Sequence, residues 1–495
     1  MSKTVSGLHY CPDNGWFGDA MPIYHDGTYH IYFNKPFRED QTEFRGGWGH
    51  IATKDFITFT EYPDAFLYEN KADGMYIGNP VNSGCVFYGE GKWHAFYAGY
   101  PEYSSNIFIR HAVSDDGISF RYIGEAFERP LKWYRADNNF RDPAVIWDNE
   151  RKEYHMVFCA KGHKTADGPN YFSGTVGHAV SKDLYHWECL PPMPIEGVAN
   201  TMECPEIYFD EKYKRWVMLY YYHETRIRTS DNPMGPWERG KVLSPDNFDF
   251  MAGRRMTDGE RQIMIGWISR KDRFNQRIPC RCMLFPRELR LLDDGRTPAT
   301  RFIREIEQLF HIPNFMIVPE KMQPGSTGWH TDGVSISVDR PNGGTMAGWR
   351  DLPGTCYMQI DFTVTDPTGQ IHFLLGTEHG GWSGDPDTEW TDTGVQLIVD
   401  LPTGLLRLRE HYEWDQKDEI ALLPYRFTAG EVIHLEILRD GEILEVGVNG
   451  EQTMVAVIPD CRAGNFGISV QDTALEIHRL SVFETKKKNT HSKGK

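Results

Sequence analysis

The stretch Tyr24-His-Asp-Gly-Thr-Tyr-His-Ile-Tyr-Phe33 is typical of a β-hairpin, with an Asp-Gly turn between two runs of aromatic and β-branched residues. Similar hairpins recur along the chain at intervals of 48 to 63 residues, and the first turn residues of the five copies are Asp26, Gly89, Asp148, Asp210 and Asp258. One small antiparallel sheet per copy at such a period predicts an all-β fold that begins with a five-bladed β-propeller.

A second phrase follows the hairpin in four copies, in which a polar turn ends at an aromatic residue. These phrases are Thr53–Phe59, Ser114–Phe120, Ser181–Trp187 and Thr229–Trp237. Their turn chemistry predicts an outer hairpin in the same blade.

Acidic residues recur just ahead of the hairpins, where the first strand of each blade would lie beside the central axis. Counting seven residues back from the turn reaches Asp19, Asn82, Glu203 and Met251, while copy three needs a count of six to reach Asp142. A β-bulge or a longer turn would account for the shorter count. The pattern predicts that the three carboxylates converge at one end of the channel, with Met251 as apolar lining.

The length of 495 residues requires more than a propeller of about 300 residues. We predict a propeller over 1–296, a linker over 297–325 with a short helix in Thr297–Phe310, and a β-sandwich over 326–485. The sandwich prediction rests on short alternating strands and an Asn449-Gly450 turn. The basic segment 486–495 is predicted to be disordered.

Composition restricts the partners and the compartment. A net charge of −17 argues against nucleic acid and anionic membranes, and no apolar run is long enough to cross a bilayer. Nine cysteines without metal-ligand spacing indicate reduced thiols, and the N-terminal ten residues lack the apolar core of a secretory signal, so the predicted location is cytoplasmic. We expect no metal and no cofactor, with His50 and His94 packed and hydrogen-bonded, in a single chain or a homo-oligomer.

Several phrases resemble glycoside hydrolase family 32, the β-fructofuranosidases that include invertases, inulinases and levanases. Gly15-Trp-Phe-Gly-Asp-Ala-Met-Pro22 resembles the family's Trp-Met-Asn-Asp-Pro-Asn-Gly, Phe140-Arg-Asp-Pro143 its Arg-Asp-Pro, and Glu203-Cys-Pro205 its Glu-Cys. The resemblance continues through Trp48-Gly-His50, Phe285–Leu289 and Glu445–Gly450. The first phrase departs from the family at Gly18, where relatives carry an asparagine that holds the terminal fructose.

The resemblance implies a role for each acid and a small-molecule fructoside as substrate. Asp19 would be the nucleophile, Glu203 the acid/base and Asp142 an ionised stabiliser of the oxocarbenium-like transition state. Repulsion among three acids favours a protonated Glu203, while Arg141 either keeps Asp142 ionised or forms a structural ion pair. The predicted substrate-binding residues are Asn34, Trp48, Asn82 and Arg141, although Trp48 also fits a blade core and the asparagines fit backbone satisfaction.

The leading interpretation is a retaining β-fructosidase that acts on sucrose, phosphosucrose or fructo-oligosaccharides. Fructosyl transfer, including formation of difructose anhydride, is a second interpretation. The sequence is also compatible with an inverting arabinosidase-like enzyme and with a sugar-binding propeller that has no activity.

Overall fold

The structure is a computed structural model, and nearly all its regular structure is β-strand. It describes all residues except 1–2, 14, 36–46, 68–80, 100–106, 137–138, 164–174, 199–200, 272–276, 317–320, 323–327, 342–343, 367, 378–393, 414–415, 459–463 and 486–495. The predicted basic tail therefore lies outside the described residues. The chain divides into one compact unit of 1–269 with 279–299 and a second of 270–278 with 300–495. The predicted domain boundaries stay predictions.

The first unit contains five consecutive antiparallel sheets. The first sheet has β1 (Lys3–Ser6), β2 (Ala20–His25), β3 (Thr28–Asn34), β4 (Gly47–Thr53) and β5 (Thr58–Leu67). The second has β6 (Val81–Gly89), β7 (Lys92–Gly99), β8 (Phe108–Ser114) and β9 (Arg121–Glu125). The third has β10 (Phe140–Asp148), β11 (Glu153–Ala160), β12 (Thr175–Ser181) and β13 (Trp187–Pro194).

The fourth and fifth sheets complete this series. The fourth has β14 (Glu203–Asp210), β15 (Arg215–Tyr221), β16 (Thr225–Ser230) and β17 (Glu238–Arg239). The fifth has β18 (Met251–Thr257), β19 (Gln262–Lys271), β20 (Arg277–Met283), β21 (Arg287–Leu291) and β22 (Pro298–Phe302). All five predicted hairpins are confirmed as the strand pairs that begin with β2, β6, β10, β14 and β18.

The strands β2, β6, β10, β14 and β18, here called the ring strands, contact one another in succession, and β18 also contacts β2. Each therefore has a ring strand of another sheet on either side. This succession brings residues that are far apart in sequence to the same end of the ring strands.

The four predicted outer turns are also confirmed, because they connect β4 with β5, β8 with β9, β12 with β13 and β16 with β17. Their polar residues explain the tight geometry. In the third sheet, the Ser181 hydroxyl accepts hydrogen bonds from the N–H groups of Asp183 and Leu184, and the Asp183 carboxylate accepts from Tyr185 and His186. Side-chain oxygens thus satisfy the backbone donors that a turn leaves unpaired.

Histidine pairs join β3 with β4, β7 with β8 and β11 with β12. The ring nitrogens are 3.0 Å apart in His30–His50, 2.8 Å in His94–His111 and 2.9 Å in His155–His178. The prediction that His50 and His94 are packed and hydrogen-bonded is confirmed.

The helix expected in 297–310 is shorter than the sequence pattern indicates. Only α1 (Glu305–Leu309) is helical, whereas Pro298–Phe302 forms strand β22. Phe302 and Ile303, two of the apolar residues at helical spacing, are buried. They are not part of the helix, which begins at Glu305. Pairing of β22 with β21 overrides the local periodicity.

The second unit consists mainly of two larger antiparallel sheets. One contains β23 (Phe310–Met316), β25 (Trp329–Thr331), β26 (Ile336–Val338), β28 (Thr355–Val364), β33 (Val432–Asp440), β34 (Ile443–Val448), β35 (Gln452–Val457) and β37 (Leu475–Thr485). The other contains β24 (Lys321–Met322), β27 (Gly344–Leu352), β29 (Gln370–Thr377), β30 (Gly394–Asp400), β31 (Leu405–Glu413), β32 (Gln416–Pro424) and β36 (Gly464–Gln471). Residues of both sheets share one hydrophobic core, which includes Met358, Phe373 and Ile468. The predicted Asn449-Gly450 turn has positive φ at both residues, as a primed hairpin turn requires.

The prediction of reduced cysteines alone is wrong for one pair. Cys11 and Cys282 form a disulfide across a sequence separation of 271 residues. Neither residue belongs to a recognisable spacing motif, so only the folded chain brings them together. Among the described residues, no helix is long and apolar enough to cross a membrane.

Candidate active site

The same irregularity occurs near the beginning of four ring strands. Register shifts between Val81 and Gly84, Arg141 and Ala144, Glu203 and Glu206, and Met251 and Arg254 mark β-bulges. Asp142, Cys204 and Ala252 have φ values of 56°, 49° and 47°, in the left-handed region. A bulge bends the strand and redirects its side chains, which aims these segments away from the regular sheet pattern.

The bulges correct the position that residue counting assigns to Asp142. Arg141 and Glu203 occupy the same register, immediately before the shift, so Asp142 corresponds to Cys204. The count of six in copy three is this offset, and the expected bulge does not account for it, because β14 has a bulge at the same register. Asp142 thus reaches the other acids from the neighbouring position of its bulge.

Arg141 connects two of the three predicted acids. Its Nη1 atom donates to Asp142 Oδ2 at 2.5 Å, and its Nη2 atom donates to Glu203 Oε1 at 2.8 Å. The negative charge of Asp142 raises the pKa of the Arg141 guanidinium above its usual value, with a smaller contribution from Glu203. The predicted ion pair with Asp142 is confirmed, and its extension to Glu203 was not anticipated.

Asp19 is held at both carboxylate oxygens. The Trp267 indole N–H donates to Oδ1 at 2.9 Å, and the Ser83 hydroxyl donates to Oδ2 at 2.5 Å. The Asn34 amide in turn donates to the Ser83 hydroxyl oxygen at 2.8 Å. Ser83 and Trp267 were not predicted from the sequence. Their signals were weak: Ser83 follows Asn82 within a bulge, and Trp267 pairs with Met251 in the adjoining strand.

Cys204 connects Asp19 with Asp142. Its backbone N–H donates to Asp142 Oδ2 at 3.2 Å, and its thiol contacts Asp19 Oδ2 with an Sγ–O distance of 3.7 Å. Burial, reinforced by the charge of Asp19, raises the thiol pKa well above its usual value. The neutral thiol is therefore a donor toward Asp19. Asp19, Asp142 and Glu203 thus belong to one network, which Cys204 and Arg141 link.

The two acids that Arg141 contacts differ in exposure. The Asp142 side chain is 5% exposed, whereas that of Glu203 is 44% exposed. Glu203 is consequently accessible to solvent and to a group that leaves the site, while Asp142 lies at its base.

A buried ion pair lies beneath the bulges. The fully buried Arg254 contacts Glu206, with an Nη1–Oε1 distance of 3.4 Å. It also donates to the carbonyl oxygens of Pro205 at 3.4 Å and Asp142 at 3.5 Å. Arg254 therefore ties the bulge of β10 to that of β14.

A family model matches the part of the chain that contains this site. The model of the glycosyl hydrolases family 32 N-terminal domain matches residues 9–299. The chain belongs to glycoside hydrolase family 32. The three acids that the resemblance singled out all lie in the matched region.

Curated relatives of this family 32 chain include enzymes with fructan-related names. It is 26% identical over 230 residues to the extracellular exo-inulinase inuE of Aspergillus niger, and the matched region covers 40% of each chain. It is also 26% identical over 223 residues to the levanbiose-producing levanase of Bacillus subtilis, which covers 43% of this chain and 40% of the relative. The family 32 chain thus spans less than half the length of these two relatives.

Solved structures resemble the family 32 chain over nearly its whole length. Sucrose-6-phosphate hydrolase from Lactobacillus gasseri has a TM-score of 0.69 at 15% identity, with 97% of this chain and 93% of that chain covered. Fructan 1-exohydrolase IIa from Cichorium intybus has a TM-score of 0.66 at 15% identity, with 97% of both chains covered. At this identity the likeness shows the fold.

The predicted substrate-binding asparagines of the family 32 chain lie beside the network. Asn34 Oδ1 and Asn82 Nδ2 are buried and have no hydrogen-bond partner among the described residues. One acceptor and one donor are thus unused next to Ser83. Their binding role stays a prediction.

Trp48 lies in the hydrophobic core of the family 32 chain. Its side chain is fully buried and packs edge-on against Phe66 and Tyr97, with ring centroids 5.1 Å and 5.9 Å apart. Its indole N–H donates to the Asn82 carbonyl at 3.0 Å. This burial does not support the predicted substrate-binding role and agrees with the alternative of a core residue, because no indole face is exposed. Trp48 instead positions the backbone of Asn82.

Gly18, the departure from the family phrase, allows Asn34 to approach closely. The Gly18 N–H donates to the Asn34 carbonyl at 2.8 Å, and the Asn34 N–H donates to the Asp19 carbonyl at 3.0 Å. A Cβ at residue 18 would lie 3.1 Å from both the Cβ and the carbonyl oxygen of Asn34. An asparagine there would press on the residue that orients Ser83.

Among the described residues, no cluster of three or more histidine, cysteine or acidic side chains is arranged to hold a metal ion.

Proposed function

We propose that the chain is a retaining β-fructofuranosidase, with the five sheets of the first unit as propeller blades and the two larger sheets as a β-sandwich. The observation that carries the activity is the network that links Asp19, Cys204, Asp142, Arg141 and Glu203. The succession of contacts around the ring strands supports the propeller.

Asp19 is proposed as the nucleophile. Trp267 and Ser83 each donate to one of its oxygens, which holds the carboxylate in one orientation. Attack on the anomeric carbon of the fructosyl ring would form a covalent fructosyl-enzyme as the leaving oxygen departs. A positioned carboxylate loses less entropy on reaching this geometry than a freely rotating one.

Glu203 is proposed as the acid/base. Its partial exposure supports proton delivery to a leaving group that faces solvent. After departure of that group, Glu203 would remove a proton from water, which attacks the anomeric carbon and releases Asp19. The protonation of Glu203 before the first step stays a prediction.

Asp142 is proposed to stabilise the positive charge that develops on the fructosyl ring. Its burial and its contacts with Arg141 and the Cys204 N–H support a fixed carboxylate. Fixed charges in a partly desolvated site stabilise a transition state without the cost of reorientation.

The substrate is proposed to be sucrose, phosphosucrose or a fructo-oligosaccharide. The names of the inulinase and levanase relatives support a fructoside. The predicted cytoplasmic location stays a prediction; one relative is named as extracellular, and the Cys11–Cys282 disulfide favours an oxidising compartment.

Product analysis tests the proposal with sucrose, phosphosucrose, inulin, levan and an arabinoside. Wild-type protein is expected to release fructose, with the β-anomer appearing first in NMR spectra of early time points. Asp19→Asn and Glu203→Gln should each lose at least a thousandfold in kcat while retaining the wild-type melting temperature. First appearance of the inverted anomer would contradict retention, and cyclic or lengthened fructosides would favour transfer over hydrolysis.

A further inference from the structure

We propose that the end of the ring strands opposite the three acids contains a second binding site, which takes a short uncharged oligosaccharide. A cavity of about 720 Å³ lies there, and the later residues of all five ring strands line it. Its volume falls within the range of roughly 300–1,000 Å³ that is typical of ligand sites. This inference is independent of the reaction proposed above.

The cavity is separate from the network of acids. Asp19, Asp142 and Glu203 do not line it. In β14, Phe209 lies six positions after Glu203 and does line the cavity. At about 3.3 Å per residue, this corresponds to roughly 20 Å along the strand. The buried Arg254–Glu206 pair occurs between these levels in the strands.

Aromatic side chains form much of the cavity wall. They come from different sheets and include Tyr24, Phe87, Tyr88, Trp147 and Phe209. Tyr88 is 39% exposed, and its ring packs against that of His25 with centroids 4.0 Å apart. Such flat, partly exposed rings suit the apolar C–H faces of a sugar.

Polar groups in the wall provide hydrogen bonds to hydroxyls. Tyr208 is 2% exposed and lines the cavity, yet its hydroxyl has no hydrogen-bond partner among the residues that the structure describes. Asn149 and Glu150 add exposed amide and carboxylate groups. A buried hydroxyl without a partner loses free energy, which a ligand hydroxyl would restore.

The charges of the wall favour a neutral ligand. Asp148, Glu150 and Glu211 disfavour anions, and the net charge of −17 acts in the same direction. Two of these acids have cationic partners, since Arg151 contacts Asp148 at 2.8 Å and Lys214 contacts Glu211 at 2.6 Å. A ligand cation is therefore not needed to neutralise them.

Arg255 of the wall is already engaged. Its Nη1 atom donates to Gln262 at 2.6 Å, and its guanidinium lies over the Tyr208 ring at 4.4 Å from the centroid. Its Nε atom is buried and has no hydrogen-bond partner among the described residues. Aromatic faces with hydrogen-bonding groups, beside three acids that disfavour anions, match a neutral oligosaccharide.

Calorimetric titration tests the site with two probes, maltotetraose on wild-type protein and nystose on the Glu203→Gln variant. We expect at least one probe to bind at a site that Tyr88→Ala and Tyr208→Phe weaken at least tenfold. Tyr122→Phe, which alters an exposed tyrosine outside this cavity, is the matched control and should bind as the parent does. Tyr88→Ala should leave the rate of sucrose cleavage unchanged.

Binding of neither probe would overturn the proposal, as would equal affinity in the parent and both cavity variants. Binding of inorganic phosphate at this site instead of the sugars would overturn it as well. Tyr208→Phe removes only a hydroxyl and Tyr88 is exposed, so melting curves should show that both variants fold. Failure of the proposed reaction would appear separately, as absence of fructose release by wild-type protein.

Discussion

Trp267→Phe should impair the nucleophile without removing it. The substitution retains an aromatic ring but deletes the N–H that donates to Asp19 Oδ1 at 2.9 Å. A hydrogen bond to a charged group contributes about 1.5–3 kcal/mol. Because about 1.4 kcal/mol corresponds to a tenfold change in rate, kcat/KM should fall about 10- to 150-fold. The loss should appear mainly in kcat, since the bond orients the attacking carboxylate.

Initial rates of fructose release from sucrose, with melting curves of each variant, measure this effect. Trp237→Phe is the matched control, because Trp237 is also buried and its indole N–H has no partner among the described residues. If Trp267→Phe retains kcat/KM within twofold of wild type while folded, the positioning argument is refuted. An equal loss in Trp237→Phe would attribute the effect to packing.

Three further predictions concern charge. Arg141→Lys should lower kcat/KM about a hundredfold, because a single ammonium group cannot replace the two guanidinium N–H groups that contact Asp142 and Glu203. A wild-type kcat/KM in this variant would show that the two contacts of Arg141 are not needed. Arg254→Met should lower the free energy of unfolding by about 3–5 kcal/mol in urea titrations, since the buried Glu206 loses its cationic partner. Adding Glu206→Gln to this variant should recover part of the lost stability. A loss below about 1 kcal/mol in Arg254→Met would contradict the prediction. Burial lowers the pKa of His50, His111 and His178 from 6.5 to about 3. At pH values below 6.5, the unfolded chain therefore binds protons at these histidines that the folded chain does not bind. The contribution of these neutral histidines to stability should be full above pH 6.5 and fall as the pH decreases toward 3. The melting temperature should fall with pH in the same way, and less steeply in His178→Gln. A melting temperature that stays constant from pH 7 to 4 would contradict this prediction.

Local sequence patterns were reliable where the structure depends on near neighbours. The Asp26-Gly27 turn has positive φ at both residues, and the alternating strands on either side of it pair as predicted. The helix prediction was only partly correct, because Pro298–Phe302 pairs as strand β22 and only Glu305–Leu309 is helical. Pairing between strands decided that case.

Positions within the site were less predictable than its acidic residues. The identities of Asp19, Asp142 and Glu203 follow from the resemblance, but Asp142 lies one position beyond the slot that corresponds to Glu203, inside a bulge at the same register. A bulge depends on how a strand pairs with its neighbour, which counting residues does not reveal. The sequence likewise allowed Trp48 to be either a substrate-binding residue or a core residue. Its packing against Phe66 and Tyr97 places it in the core.

The hairpins and their repeat can be read from local sequence, because turns and strand alternation depend on residues close together in the chain. What each acid contacts depends on residues that are far apart in sequence. Trp267 reaches Asp19 across 248 residues, and Arg141 reaches Glu203 across 62. These contacts form because ring strands of different sheets, together with the strand paired with β18, lie close to one another, so they are absent from any local stretch of sequence.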